Sequence, residues 1–194
     1  LNNLDNGTID INDIKNNIRK KDDDHFPRTQ LLCLENTHNF CYGSPIEKNY
    51  FKEVKKLLDA NNINLHIDGA RIFNAAVALK TSVAELTSTA DSVSCCLSKG
   101  LSAPIGSLII GTKQFIHEAK KIRKALGGGM RQAGIIASAG IYSFNHMIDR
   151  LEEDHELAQI LAKKLSNIKN LFVDLDLVKT NIIFIYLKHN KPSD

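Results

Sequence analysis

Lys99 and Asp68 are the residues whose surroundings suggest chemistry. Each closes an apolar run. Asp91-Ser-Val-Ser-Cys-Cys-Leu-Ser-Lys99-Gly100 ends in an amine beside a glycine, and Leu65-His-Ile-Asp68-Gly-Ala-Arg71 in a carboxylate followed by glycine, alanine and arginine. Open α/β sheets bind ligands beyond the carboxyl ends of their strands, and the roughly 30 residues between the two groups match one strand–helix–strand unit. An amine and an acid at two ends of one aromatic ring would suit pyridoxal phosphate (PLP). Lys99 would form the Schiff base with its aldehyde and Asp68 would hold the pyridine nitrogen.

The elements that must position these groups follow from periodicity. Isoleucines at 11, 14 and 18 recur at helical spacing behind Asp10, a ready N-cap, and Asp22-Asp-Asp-His25-Phe-Pro27 breaks that helix. Leu31-Leu-Cys-Leu34 predicts a buried parallel strand that delivers Glu35-Asn-Thr-His-Asn39 at its end. The pattern then predicts a helix over 50–60, a strand over 63–68, helices over 70–79 and 82–87, and a strand over 92–97. Residues 105–110 predict a strand pairing back across the site. A helix over 113–126 ends at Gly127-Gly-Gly129, a triplet that permits unusual backbone angles. Residues 133–142 are small and apolar, 147–168 read as one long charged helix, and 173–187 as a β-rich stretch. His66 reads as a packed core histidine, and His117, His146 and His155 as exposed on helices.

Composition narrows the function classes. The chain has 194 residues, 43% hydrophobic and 24% charged, which allows one domain and part of another. A net charge of +3, with no basic segment interleaved with aromatics, argues against a nucleic-acid partner. Lys120-Lys-Ile-Arg-Lys124 lies in a helical pattern and reads as a solvated face. No apolar stretch approaches the roughly 20 residues of a membrane span. The four cysteines form no Cys-x-x-Cys pair and read as buried free thiols in a reducing, cytoplasmic compartment. Cys95 and Cys96 would face opposite sides of a strand, so no metal is expected there. The first residue is Leu1, no signal peptide is apparent and the last six residues are polar, so the chain is expected to be a piece of something longer.

Six stretches together resemble the PLP-dependent threonine aldolases of the low-specificity type. They are Asp24-His-Phe-Pro-Arg28, Leu34-Glu-Asn-Thr-His-Asn39, His66-Ile-Asp-Gly-Ala-Arg-Ile-Phe-Asn74, Cys96-Leu-Ser-Lys-Gly-Leu101, Ala103-Pro-Ile-Gly-Ser107 and Gly127-Gly-Gly-Met-Arg-Gln132. The resemblance implies the β-eliminating lyase and aspartate-aminotransferase fold type I. That is an α/β large domain, three-layer α/β/α with a mainly parallel sheet, followed by the start of a small C-terminal α+β domain. The division expected is 1–147 for the PLP-binding domain, 148–170 for a connecting helix and 171–194 for the small domain.

The same resemblance assigns roles. Lys99 carries the cofactor and Asp68 its ring nitrogen. Arg71 holds the substrate carboxylate, for which a planar guanidinium is suited. Arg131 lies toward the cofactor phosphate, and His25 lies close to the substrate hydroxyl as acid–base group; Ser98, read from its own place, would either donate to that phosphate or simply end the strand. His38 and Asn36 brace the site. The implied reaction is retro-aldol cleavage of L-threonine or L-allo-threonine to glycine and acetaldehyde, in a homodimer or homotetramer. By the same resemblance, segments before and after the chain would supply a phosphate-gripping glycine–threonine pair, a histidine stacked on the ring and a second carboxylate-binding arginine. Two other readings stay open: a related PLP lyase acting by β-elimination, and a catalytically silent fragment acting only through association.

Overall fold

The apolar runs that end in polar groups become parallel neighbours. The computed structural model describes residues 1–19 and 24–188. The helix break at Asp22 and Asp23 and the polar tail 189–194 lie outside those residues. β1 (Leu31–Glu35), β2 (Asn64–Asp68) and β3 (Ser92–Cys96) run parallel in that order. β4 (Ser107–Gly111) turns back and pairs antiparallel with β3. The register sets Glu35 level with Asp68, and Asp68 level with Ser94.

Local chemistry marks the helix starts. α1 (Ile11–Asn17) begins where Asp10 Oδ1 accepts the amides of Asn12 and Asp13, at 2.8 and 3.0 Å. α2 (Lys48–Asn61) leads to β2, and α3 (Ile72–Ala78) follows Asp68 directly. Ser82 Oγ caps α4 (Val83–Thr87), and Thr112 Oγ1 caps α5 (Lys113–Ala125). α6 (Gly134–His146) and α7 (Leu151–Ser166) complete the helices that matter for the site. Phe51, Val54 and Leu58 of α2 pack with Leu65, Ile67 and Ile72 in one core, all buried. Burial of a side chain such as Phe51 contributes about 2–3 kcal/mol.

Alternation divides the sheet into two faces. Leu32, Leu34, Leu65, Ile67, Val93 and Cys95 point into the core. Their neighbours Cys33, Glu35, His66, Asp68, Ser94 and Cys96 therefore point to the other face. There α5 lies beside β4, with Ile109, Phe115 and Ile122 lining one shallow groove. Helices thus flank both sides, the α/β/α order expected, although among the described residues the second layer meets only the β4 edge.

Several expectations need correction. β1 is buried on one face only, so Cys33 is exposed rather than a buried thiol. His66 is half-buried on the open face, bonded through Nδ1 to Ser92 Oγ at 2.9 Å, and is not a core residue. The long helix expected over 147–168 begins only at Leu151, because α6 ends at His146 and the chain redirects to bury Leu151. His155 is half-buried, bonded to Asn74. The stretch 173–187 is not β-rich. β5 (Leu171–Phe172) and β6 (Tyr186–Leu187) form one short antiparallel pair around a 3₁₀ turn, Leu175–Leu177. The intervening chain docks by side chains instead: Thr180 Oγ1 donates to Gly43 O at 2.8 Å, and the Phe184 ring packs tilted against Tyr42.

Candidate active site

Asp68 is the last residue of β2, and its backbone is clamped from both sides. Asn36 N–H donates to Asp68 O at 2.8 Å, and Gly69 N–H donates to Ser94 O at 2.9 Å. Gly69 is required by that closeness: a Cβ there would lie 2.7 Å from the Ser94 carbonyl. The carboxylate is exposed at the rim. Its Oδ1 accepts from Ala70 N–H at 3.0 Å and Ser94 Oγ at 3.4 Å, and no bond within the described residues occupies Oδ2. One oxygen is fixed and the other is available to an outside donor.

Lys99 lies three residues past β3, in a turn stapled by short bonds. Leu97 N–H donates to Gly106 O at 2.9 Å, Ala103 N–H to Leu97 O at 3.0 Å, and Ser102 N–H to Lys99 O at 2.9 Å. Gly100 leaves room for buried neighbours, since a Cβ there would meet Leu151 Cδ2 at 2.7 Å. Lys99 itself is exposed. Its ammonium acts on Cys96, whose thiol is half-buried. Burial would raise that thiol's pKa, but hydrogen bonds from Ser98 and Ser107 and the Lys99 charge together lower it. Cys33, on the same face, is pushed up by burial and then by the Asp68 charge.

Because β2 and β3 are parallel neighbours, Asp68, Ser98 and Lys99 leave the sheet at the same rim. Arg71 joins them as the half-buried N-cap of α3, one turn from Asp68. Cys96 Sγ and Ser98 Oγ are 3.4 Å apart. Arg131 is exposed in the irregular stretch between α5 and α6, with no bond to the rim residues. His25 sits in an exposed turn ahead of Gln30, whose carbonyl accepts Asn64 N–H at the amino ends of β1 and β2. Its chain therefore leads to the opposite rim. Asn36 Oδ1 and Nδ2 bond both backbone groups of Ile46, and His38 Nδ1 accepts Cys41 N–H, so these two side chains hold the loop that follows β1.

The donor set at the rim fits PLP at its pyridine end. A carboxylate with one free oxygen suits a protonated ring nitrogen, and a primary amine on the adjacent strand suits the aldehyde. Ser98 adds a hydroxyl for phosphate. The sequence did not single out Asn74, which is buried and bonded to His155 and Asn181, because a helical asparagine carries no signal of its own.

Known proteins resemble this chain in sequence and in shape. The chain is 43% identical over 184 residues to low-specificity L-threonine aldolase 1 of Arabidopsis thaliana, covering 94% of this chain and 51% of that protein. It is 44% identical over 179 residues to the low specificity L-threonine aldolase of Escherichia coli strain K12, covering 92% and 52%. The chain thus spans about half the length of the curated relatives it matches. A solved structure of a candidate L-allo-threonine aldolase from Listeria monocytogenes EGD-E superposes with a TM-score of 0.81 at 22% identity, covering 94% of this chain and 48% of that one. That likeness establishes the fold, which is shared by a PLP-bound candidate aminotransferase from Clostridium difficile 630 at a TM-score of 0.65 and 17% identity. The beta-eliminating lyase profile matches residues 1–190, and with the parallel strands that deliver Asp68 and Lys99 to one rim, the chain belongs to the β-eliminating lyase family.

Proposed function

We propose that these residues form part of a PLP-dependent aldehyde-lyase that cleaves L-threonine and L-allo-threonine to glycine and acetaldehyde. The observation that carries the reading is the shared rim of Asp68, at the end of β2, and Lys99, in the turn just past the parallel neighbour β3. The names of the relatives at 43% and 44% identity support the substrate class. When bound, PLP supplies an electron sink for the pair of a breaking Cα bond. Lys99 holds the cofactor through its amine. Asp68 keeps a proton at the ring nitrogen through its unoccupied oxygen. Arg71, one turn away, takes the substrate carboxylate and orients the Cα–Cβ bond, so its contribution falls on rate as well as binding. Ser98 and Arg131 are assigned to the phosphate. The resemblance alone assigns His25 to the substrate hydroxyl as acid–base group; because its loop leads to the rim opposite Asp68 and Lys99 within this chain, that role falls at the rim of a neighbouring copy in a homo-oligomer.

The test uses the full-length protein. Borohydride reduction followed by peptide mass spectrometry is expected to find pyridoxyl on Lys99, and Lys99→Ala to lose the label and essentially all acetaldehyde release from threonine. Label on another lysine would defeat the assignment. Release of ammonia and keto acid in place of acetaldehyde would favour β-elimination instead. His25→Asn is expected to lower kcat on the order of a hundredfold while leaving the label on Lys99. We further propose a homo-oligomer and a cytoplasmic location, the latter supported by four free thiols.

A further inference from the structure

A single buried amide connects the Lys99 turn to two distant stretches of chain. Asn74 sits on α3, the helix that starts just after Asp68. It is only 3% exposed. A Cβ at Gly100 would lie 3.5 Å from Asn74 Oδ1, so the amide packs directly under the residue that follows Lys99. Leu151, the first residue of α7, is the other floor of that turn. Asn74 Nδ2 reaches His155 Nε2 on α7 at 3.1 Å and Asn181 Oδ1 at 3.3 Å. Two segments, 81 and 107 residues away along the chain, meet the Lys99 turn on one side chain.

We infer that Asn74 is a positioning residue for Lys99, and that its link to His155 is a proton-sensitive latch under the Lys99–Gly100 turn. The inference rests on the reading of Lys99 as the cofactor lysine. The bond geometry requires a neutral imidazole, with Nε2 as acceptor and the amide as donor. A proton on Nε2 would set donor against donor and release α7 from the turn. Burial lowers the His155 pKa from 6.5, against the raising effects of Asp154 and then Glu152 on its own helix. From α3 and the stretch around residue 181, the groups that face it are the uncharged amides Asn74 and Asn181. The stabilising link is therefore complete above the ordinary histidine value and is lost as pH falls through the lowered, folded one. The latch holds at neutrality and opens in mild acid.

The experiment compares the full-length, cofactor-loaded enzyme with Asn74→Ala and His155→Gln. Three quantities are read: kcat and KM across pH, the His155 titration by NMR, and the exchange protection of the Ser102 amide, which donates to Lys99 O. Asn74→Ala is expected to lower kcat on the order of tenfold at every pH, with KM changed less than about twofold, and to reduce Ser102 protection. In the unsubstituted enzyme, Ser102 protection is expected to fall as His155 takes up its proton. His155→Gln keeps an acceptor that does not titrate, so it should retain activity within about twofold at pH 7 and lose that acid limb of protection. Should Asn74→Ala fail to fold, His155→Gln alone decides the matter. Unchanged Ser102 protection in Asn74→Ala, or an acid limb that persists in His155→Gln, would overturn the inference. Failure of the lysine assignment is distinguishable, because reductive labelling would then miss Lys99 whatever the exchange data show.

Discussion

At the scale of single residues, the charges that matter most are those tied to backbone. Asp91 Oδ2 accepts Leu65 N–H at 2.7 Å and pairs with Lys55 at 2.9 Å, so one carboxylate joins α2 to the start of β2. Burial opposes its charge, yet the Leu65 amide and Lys55 outweigh it and hold the pKa below 3.8. Its contribution is present above that ordinary value and lost as pH falls through the lower folded one. Asp91→Ala is expected to cost about 1 kcal/mol at pH 7, solvent screening the partly exposed carboxylate, and less at pH 3, read by urea unfolding at both. Equal losses at the two pH values would refute the charge-based account. Asp68 and Lys99 were visible in sequence because each ends an apolar run beside a glycine. Asn74 was not, because its partners His155 and Asn181 are remote in sequence and only packing brings them near.

At the scale of elements, caps and close approaches decide where each begins. Asp10 announced α1 in the sequence, and Ser82 and Thr112 cap α4 and α5 by the same local chemistry, although periodicity alone predicted those two helices. The start of α7 was also written, in Glu152-Glu-Asp154 at its amino end, where acids favour the helix dipole, but the apolar pattern through Met147 and Ile148 concealed it. The one-sided burial of β1 was hidden for another reason: a continuous apolar run carries no alternation from which to read a face. In 173–187, among the described residues only Tyr186 and Leu187 pair with a strand, and Thr180 and Phe184 dock by side chains instead. Gly69 illustrates how strongly one approach fixes the rim. Gly69→Ala would place a methyl 2.7 Å from Ser94 O and 3.0 Å from Ile72 Cβ. It is expected to destabilise by about 1–3 kcal/mol in chemical denaturation. A neutral result would mean that β2 and β3 can separate at no cost.

At the scale of the molecule, one sheet face is cored and the other is open to solvent near β1 and β2. Leu126 and Ile135 are each 82% exposed, and Ile109 is 45% exposed beside α5. Apolar surface of this kind favours association. The 194-residue chain alone is expected to sediment with a concentration-dependent mass, and Leu126→Lys with Ile135→Lys to shift it toward monomer. A single monomeric species at all concentrations would show that this surface is inert. The stapled turn from Leu97 to Gly106 carries a kinetic corollary. With its main chain pinned, the lysine resembles a crane on a fixed base, and only its four-carbon boom swings. Rotations of an exposed side chain take picoseconds to nanoseconds. Movement of the amine at the rim therefore need never wait for the slower rearrangement of a loop.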